Sequence, residues 1–277
     1  MIDSIDSLLP MTFIGGGNMA QALLSGWLKQ GLPASALHVV EPHAPTRDHL
    51  HTHSGVACHE HAASAPTDSK LVIWAIKPQV FKDVAQPLAS RFHQALHLSV
   101  AAGVRSDSIA RWLDTQRVVR VMPNTPALVG LGQSGVFARD QVSSTERQQV
   151  QQLLQAIGQT VWVNTENQLD AVTALSGSGP AYVFYFIEAL TQAGIHMGLS
   201  AAQAHQLAVG TFVGASELAR SSTESPAVLR ERVTSKGGTT YAALSRMQAD
   251  DVAGLIDKAL ASALARSVEL GQLLDQA

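Results

Sequence analysis

The chain of 277 residues has little charge, few aromatic side chains and a single cysteine. Charged residues make up 15% of it, against about 25% in an average protein, which predicts a well-buried globular fold. Cys58 cannot form a disulfide within the chain, as is typical of a reducing compartment. The net charge of −3 lacks the basic excess that attracts nucleic acids. We therefore expect a cytoplasmic protein with no nucleic-acid partner.

The sequence also lacks the features of membrane or secreted proteins. No uncharged apolar run is long enough to cross a bilayer. The first ten residues, Met1–Pro10, carry acids where a secretory signal needs bases. We expect neither membrane association nor export. The length is sufficient for two domains of ordinary size.

A glycine-rich turn joins the first predicted strand to the first predicted helix. The strand Met11–Ile14 is followed by Gly15-Gly-Gly-Asn-Met-Ala20, with the spacing G-x-G-x-x-A, and then by a helical pattern over residues 21–30. In this motif the first glycine makes the tight turn, the second admits a pyrophosphate, and the small last residue lets helix and strand pack closely. The motif predicts a dinucleotide site, and an ordinary glycine-rich turn is the alternative.

An acidic residue, Glu41, ends the second predicted strand, Leu37–Val40. It lies about twenty residues beyond the glycines, where a carboxylate binds the ribose hydroxyls of NAD and repels a 2′-phosphate. Glu41 therefore favours NAD(H). Arg47 and the nearby histidines leave NADP(H) open.

Three further apolar segments, residues 71–76, 96–100 and 117–121, are predicted strands of a parallel sheet that is buried on both faces. They alternate with helical patterns near 80–91 and 106–113, as in a doubly wound α/β sheet. Ligands of such sheets bind beyond the carboxyl ends of the strands. The loop residues expected there are Lys77, Pro78, Ala101–Gly103 and Asn124. Strands at 135–137 and 160–163 and a helix near 143–157 complete the predicted domain.

Beyond Val163 the pattern is helical. Predicted helices cover residues 166–175, 181–197, 200–220 and about 250–270, with an interruption at Ser176–Pro180. Residues 226–233 lead into a second glycine turn. We predict an α/β fold in which an N-terminal Rossmann-type doubly wound sheet, residues 1–164, is followed by an all-α dimerisation domain, residues 165–277. Helices as apolar as Tyr182–Ile187 need more cover than a domain of about 110 residues provides, so we expect a homodimer.

A second glycine turn, Val233-Thr-Ser-Lys-Gly-Gly-Thr-Thr240, precedes a further apolar-periodic run that begins at Tyr241. Gly237 and Gly238 let the backbone approach a ligand closely. Thr239 and Thr240 stand where capping residues begin a helix. The free N–H groups of a helix start suit a carboxylate or phosphate. We predict an anion site, and a capped turn between two helices is the alternative.

Five histidines surround Cys58 and Glu60 in the sequence: His49, His51, His53, His59 and His61. Their spacing matches no zinc motif. We predict no metal site and interpret the segment as a solvated, histidine-rich surface.

Six motifs, taken in order, resemble those of the pyrroline-5-carboxylate reductase family. They lie at residues 14–19, 75–78, 99–103, 121–126, 174–182 and 233–240. The resemblance covers nearly the whole chain after Pro10, and the last two motifs are specific to the family. It implies reduction of 1-pyrroline-5-carboxylate to L-proline, the last step of proline biosynthesis, with NADPH or NADH. It also implies an interlocked homodimer whose partner chain completes the active site, with assembly into a decamer left open.

The resemblance also implies roles for particular residues. It places the cofactor at Ile14, Gly15, Gly16, Gly17, Asn18 and Met19, at Ala75, Ile76, Lys77 and Pro78, and at Val100, Ala101 and Ala102. It places the substrate carboxylate at Gly237, Gly238, Thr239 and Thr240, with Thr240 as the catalytic residue beside the imine nitrogen. We add Glu41 and Asn124 to the cofactor site, and Glu166 and Ser176 to the substrate site. A surface charge at Lys77 and a helix N-terminal charge at Glu166 are the alternatives.

Two other functions remain open from the sequence. A β-hydroxyacid dehydrogenase or another imine reductase would also join a Rossmann domain to a helical domain, and those dehydrogenases rely on a lysine for which Lys236 is the candidate. A regulatory dimer that binds a dinucleotide without turnover belongs to a different class. Oxidation of NAD(P)H that depends on pyrroline-5-carboxylate, compared with 3-hydroxyacids, distinguishes the three.

Overall fold

A computed structural model describes residues 5–276, without the side chain of Gln276. The chain divides into two compact units. The first unit runs to Ser178 and resumes at Ala263, and the second is Gly179–Ser262. The predicted domain boundary after Asn164 stays a prediction.

Eight strands form one sheet in the first unit. They are β1 (Met11–Ile14), β2 (Leu37–Val40), β3 (Ala57–His59), β4 (Leu71–Trp74), β5 (Leu96–Ser99), β6 (Val118–Met122), β7 (Gly132–Ala138) and β8 (Gly158–Trp162). Their spatial order is β3-β2-β1-β4-β5-β6-β7-β8. Neighbouring strands are parallel except for the antiparallel pair β6 and β7. The predicted Rossmann-type doubly wound sheet is therefore confirmed, with an antiparallel strand inserted before its last edge.

Seven α-helices alternate with these strands or follow them. They are α1 (Asn18–Lys29), α2 (Ala44–Ser54), α3 (Phe81–Ala85), α4 (Ala89–Phe92), α5 (Ser106–Leu113), α6 (Ser144–Gln155) and α7 (Gln168–Val172). The single helix predicted near 80–91 is wrong in detail, because 3-10 turns precede and separate α3 and α4. Pro87 lies in the turn between them, and its lack of an N–H group interrupts the α-helical hydrogen bonds.

Apolar side chains cover both faces of the sheet. Phe13 and Ile73 belong to one buried cluster, while Ile14 and Trp74 belong to the other, so adjacent residues of a strand serve opposite faces. Strands buried on both faces read as continuous apolar runs, which is why the sequence pattern located them.

The second unit is helical. It contains α8 (Gly179–His196), α9 (Ala201–Ser221), α10 (Pro226–Arg232) and α11 (Thr239–Ala249), and it includes the start of α12 (Val252–Gln276). Ser200 begins α9 with a reciprocal capping box to Gln203. A side chain at Gly194 would meet the methyl group of Ala204 at 2.8 Å, so α8 and α9 pack closely there. Among residues 5–276, no helix combines the length and apolarity needed to cross a membrane.

The second half of α12 belongs to the first unit. The Ser267 hydroxyl bonds Asp170 Oδ1 at 2.8 Å, and the Ser108 hydroxyl bonds Asp275 Oδ1 at 2.7 Å. Asp170 also accepts a 2.7 Å hydrogen bond from the Arg105 guanidinium. The predicted end of this helix near residue 270 is too early, because these polar contacts continue along its last turns.

A π-helical turn, Thr173–Gly177, occupies the place of the predicted interruption. The Ser178 N–H donates to Thr173 O at 2.9 Å, which is an i to i+5 bond. Gly177 faces Met122 Cε so closely that a Cβ there would lie 2.3 Å away. The serine–glycine stretch thus forms a wide turn packed on the chain after β6, although Pro180 does lie in the first turn of α8 as predicted.

A buried histidine in β5 sets a dependence of stability on pH. The Trp74 Nε1–H donates to His97 Nδ1 at 3.0 Å, and His97 Nε2 lies 3.0 Å from Phe92 O. Both contacts are satisfied by the neutral ring protonated on Nε2. Burial lowers the pKa of His97 from 6.5 to about 4.

We predict that the free energy of unfolding falls as pH drops from 6.5 towards 4. The unfolded chain binds a proton at His97 in that range while the folded chain does not. The stability that the neutral His97 contributes is therefore complete above pH 6.5 and is lost progressively as the pH falls towards 4. The loss attributable to this residue is about 3 kcal/mol. Urea titrations of wild type and His97→Gln across this range measure it. Equal losses in both proteins would show that other groups titrate there.

Candidate functional site

The carboxyl ends of β1 and β4 form the centre of the candidate site. β1 pairs with β2 on one side and with β4 on the other, so the strand order reverses between β1 and β4. Ligands of open α/β sheets bind at such a switch point. The predicted cofactor residues 14–19 and 75–78 follow these two strands, and residues 100–102 follow β5 beside β4. The structure therefore brings the three predicted loops to one edge of the sheet.

Gly15 makes the tight turn after β1. Its φ is +97°, and a Cβ atom there would lie 2.5 Å from the carbonyl oxygen of Ala75. The backbone continues the sheet on either side of the turn, because Gly15 N–H donates to Val40 O and Ala75 N–H donates to Ile14 O. Both sterics and backbone angle restrict this position to glycine.

Gly17 leaves an open approach to the start of α1. It is the N-cap of that helix and supplies no side-chain cap, so the first N–H groups of α1 are available to a ligand. No protein atom lies within 4 Å of where a Cβ at Gly17 would stand. The chain therefore offers the free helix N-terminus and unobstructed backbone that a pyrophosphate requires.

Glu41 is fixed against the glycine loop. Its carboxylate accepts hydrogen bonds from the N–H groups of Gly16 at 2.8 Å and His43 at 2.9 Å. Arg47 donates to the carbonyl oxygens of Glu41 and Pro42 and lies 3.3 Å from a carboxylate oxygen of Glu60. The negative charge thus stays at the loop, and the nearest guanidinium is already engaged.

The other two loops differ in exposure. Lys77 is exposed, and within residues 5–276 it forms no ion pair or hydrogen bond of its side chain. Ala101 is buried and its N–H donates to Ser99 Oγ at 3.3 Å, whereas Ala102 is exposed. Whether these residues and Pro78 hold a cofactor stays a prediction.

Asn124 lies inside the protein rather than open at the sheet edge. Its Oδ1 accepts the Gln133 N–H at 2.9 Å, and its Nδ2 lies 3.2 Å from both Ser176 O and Ser176 Oγ. The predicted cofactor residue and the predicted substrate residue are therefore in direct contact. Their separate roles stay predictions.

Glu166 occupies the N-terminus of α5. Its carboxylate accepts hydrogen bonds from the N–H and hydroxyl of Ser106, at 2.6 and 2.7 Å, and from Arg120 at 2.6 Å. Glu166 therefore provides a negative charge at a helix N-terminus, but the helix is α5 and not the one that Glu166 was predicted to begin. The substrate contact predicted for it stays a prediction.

Arg120 was not predicted as a site residue, although the sequence carries a signal for it. Arg120 interrupts the apolar run of β6, and it is 6% exposed. A buried arginine requires a buried acid, so the pattern already indicated an unassigned carboxylate partner.

The second glycine turn starts α11 without a side-chain cap. Gly238 is the N-cap, so the prediction that the threonines act as caps is wrong. Gly237 has φ +74°, and the Gly238 N–H turns back to Ser235 O at 3.0 Å. Thr239 and Thr240 therefore lie inside the first turn of α11, where the free N–H groups and hydroxyls remain available to an anion.

The histidine-rich segment carries no metal-type cluster. His49, His51 and His53 are exposed on α2. His38 and His59 form a pair on β2 and β3, with Nδ1 and Nε2 3.2 Å apart. Across residues 5–276, no group of three or more His, Cys, Asp or Glu side chains could hold a metal ion.

Comparisons with known proteins cover almost the whole chain. A family model described as pyrroline-5-carboxylate reductase dimerisation matches residues 166–270, and one described as NADP oxidoreductase, coenzyme F420-dependent, matches residues 10–103. Pyrroline-5-carboxylate reductase of Pseudomonas aeruginosa is 44% identical over 268 residues, which are 96% of this chain and 98% of that protein. The chain belongs to the pyrroline-5-carboxylate reductase family.

Solved structures agree with this assignment. A pyrroline-5-carboxylate reductase from Coxiella burnetii is 34% identical, covers 95% of this chain and 98% of its own, and has a TM-score of 0.90. The Plasmodium falciparum enzyme, solved with NADP bound, is 25% identical, covers 96% and 99% respectively, and has a TM-score of 0.84. The family includes a dimerisation segment, which supports an oligomeric protein.

We predict that alanine at Gly15 affects stability, whereas alanine at Gly17 affects dinucleotide binding. Gly15→Ala forces a side chain onto Ala75 O and strains the backbone, so thermal stability falls. Gly17→Ala meets no atom of the free protein and should keep its stability, but its methyl group would obstruct the pyrophosphate that we predict at this loop. We expect its KM for the dinucleotide to rise by about tenfold, equivalent to 1.4 kcal/mol. An unchanged KM in Gly17→Ala would show that the cofactor binds elsewhere.

Proposed function

We infer that this protein reduces 1-pyrroline-5-carboxylate to L-proline with NADPH or NADH. The observation that carries this function is the match to pyrroline-5-carboxylate reductases over nearly the full length of both chains. The local geometry supports it, because the switch-point loops suit a dinucleotide and the start of α11 suits a carboxylate. Oxidation of NAD(P)H that depends on pyrroline-5-carboxylate, with 3-hydroxyacids as the comparison, tests the assignment.

The cofactor site that we propose consists of the three loops predicted from the sequence, without Asn124, which lies inside the protein. The pyrophosphate lies at Gly15–Met19 on the start of α1, and the loops at Ala75–Pro78 and Val100–Ala102 line the remaining length. Gly17 supports this assignment, since its position is free of neighbouring atoms and of any cap. When bound, the nicotinamide supplies the hydride.

The substrate site that we propose is the turn Gly237–Thr240. Its free N–H groups bind the substrate carboxylate, and the Thr240 hydroxyl bonds the ring nitrogen. The imine is basic enough to be substantially protonated near neutral pH, so the protein needs no strong acid. Its contribution is to hold a small ring in a fixed orientation for hydride addition to the C=N carbon. Thr240 is free for this role because neither threonine caps α11.

The cofactor preference that we propose is for NADH. Glu41 holds a carboxylate on Gly16 N–H, beside the position of the adenosine ribose, and repels a 2′-phosphate there. Arg47 does not offset the repulsion between Glu41 and a 2′-phosphate, because its guanidinium already bonds two backbone carbonyls and Glu60. A switch to NADPH would require these contacts to break.

We also propose that the protein acts as a cytoplasmic homodimer. Phe184, Tyr185, Leu207 and Val213 of the second unit are each more than half exposed. Apolar exposure on this scale marks an interaction surface, and the dimerisation family model spans these helices. The low cysteine content supports the location. The dimers could assemble further into a decamer of five dimers. The molecular mass in solution distinguishes a dimer from a decamer.

Replacing Thr240 by alanine should lower kcat/KM for pyrroline-5-carboxylate by about a hundredfold, because one oriented hydrogen bond to the reacting group is lost. Thr240→Ser keeps the hydroxyl and should retain most of the activity. Steady-state oxidation of NADH by both variants measures the difference. Wild-type kcat/KM in Thr240→Ala would remove this residue from the mechanism.

The wild-type enzyme should have a higher kcat/KM with NADH than with NADPH. Glu41→Gln keeps an oxygen for the Gly16 N–H but loses the charge, so the NADH to NADPH ratio should fall by about tenfold, equivalent to 1.4 kcal/mol. Asp48→Asn removes a charge on α2 and should leave the ratio unchanged. A wild-type preference for NADPH would contradict the proposed role of Glu41.

In solution the wild-type chain should sediment as at least a dimer. Val213→Asp places a charge on the apolar surface of α9 and should shift the protein towards monomer, since a buried unpaired charge is strongly unfavourable. Val161→Asp makes the same change at a similarly exposed valine on the edge strand β8 and should keep the wild-type mass. Equal masses for wild type and Val213→Asp would exclude this helix from the interface.

A further inference from the structure

Asn124 uses its side chain to join two distant segments. It is 8% exposed, and it precedes the 3-10 turn Thr125–Val129 without capping that turn. Its amide instead connects the start of β7, through Gln133, to the π-helical turn, through Ser176. An amide buried in this way fixes the position of the groups that it bonds.

The orientation of the Asn124 amide follows from its partners. The Gln133 N–H can only donate, so the amide oxygen must face it, at 2.9 Å. The NH2 group then faces Ser176, where the carbonyl oxygen and the hydroxyl oxygen each lie at 3.2 Å. Both of its hydrogens are directed at acceptors of a single residue.

This arrangement determines the direction of the Ser176 hydroxyl. Since Ser176 Oγ accepts from Asn124, its own hydrogen is left to donate elsewhere, and within residues 5–276 no protein group accepts it. A helical serine or threonine usually donates to the carbonyl four residues earlier. Thr173, in the same turn, does so, with Oγ1 at 2.7 Å from Leu169 O. Ser176 is half-buried and keeps its donor unused.

The backbone around Ser176 is held in place. The π-helical bond from Ser178 N–H to Thr173 O sets the turn, and Gly177 packs on Met122, directly before the loop that carries Asn124. Single π turns inside helices are frequent at functional sites. The buried Asn124 amide, the π-helical turn and the unused Ser176 hydroxyl hydrogen therefore lie together at the carboxyl end of β6.

We propose that Asn124 is a positioning residue that keeps the Ser176 hydroxyl as a hydrogen-bond donor to an oxygen of the bound ligand. The ligand oxygen belongs either to the carboxamide of the nicotinamide or to the carboxylate of the substrate, both of which accept this bond. Asn124 acts through Ser176 and touches neither ligand. This inference rests on the proposed reductase function.

The test is a double-mutant cycle on the full-length enzyme, with Asn124→Asp, Ser176→Ala and both together. The carboxylate introduced by Asn124→Asp would keep an oxygen for the Gln133 N–H but present a second acceptor to Ser176, whose hydrogen then turns inward. Each single variant should lose about tenfold in kcat/KM, as expected for one hydrogen bond. The double variant should lose no more than either single variant, because both changes remove the same donor.

The pH profile separates positioning from a merely structural effect. As pH falls and the new carboxyl group gains a proton, it can donate to Ser176 again, so the activity of Asn124→Asp should recover relative to wild type. Ser176→Ala, which has no such group, should show no recovery. Thr173→Val removes a hydroxyl already used within the helix and should keep wild-type kcat/KM.

The two ligand oxygens are distinguished by which KM rises in Ser176→Ala, that of the dinucleotide or that of pyrroline-5-carboxylate. Losses that multiply in the double variant, or wild-type kinetics in Ser176→Ala, would overturn the inference while leaving the reductase function intact. A wild-type enzyme that does not turn over pyrroline-5-carboxylate would instead overturn the function itself. If Asn124→Asp fails to fold, a comparison of kcat/KM between Ser176→Ala and Thr173→Val still shows whether the Ser176 hydroxyl contributes to activity.

Discussion

Two buried ion pairs hold the segment after the last strand onto the sheet, and the candidate site depends on them. Arg120 in β6 pairs with Glu166, and Arg105 at the start of α5 pairs with Asp170. A buried charge is tolerated only when it is paired and hydrogen-bonded, so these four side chains fix one another. The π-helical turn follows shortly after Asp170. Its position, and with it the Ser176 hydroxyl, is therefore set by electrostatics several residues away.

The same segment also receives the end of α12, through Ser267 on Asp170. Asp170 thus joins three parts of the chain: α5, α7 and the last helix. This contact is one of those that join residues after Ala263 to the first unit, which is therefore discontinuous in sequence. The helices of the second unit, by contrast, expose large apolar side chains. Burial of that surface by another copy is the assembly that best accounts for its composition.

The two glycine turns resemble each other because neither provides a side-chain cap for the helix that follows it. In both, a glycine is the N-cap and no side chain satisfies the first N–H groups of the helix. At the starts of α6, α9 and α10, by contrast, Ser143, Ser200 and Ser225 make that bond. Helices α1 and α11 therefore keep their partial positive charge available to anions. A pyrophosphate and a small carboxylate are the two anions that the family's reaction supplies.

The features of this protein that depend on local pattern were predictable from its amino-acid sequence. Apolar runs located the central strands but not β3, and the spacing of Gly15 and Gly17 indicated the first loop. Periodicity and backbone freedom are properties of neighbouring residues. The contacts of Glu166, Asn124 and Arg47 became known only from the three-dimensional structure. Glu166 reaches a helix start 60 residues earlier, and Asn124 reaches a turn 52 residues later. Hydrogen bonds of such separation are chosen by packing, which local sequence does not encode.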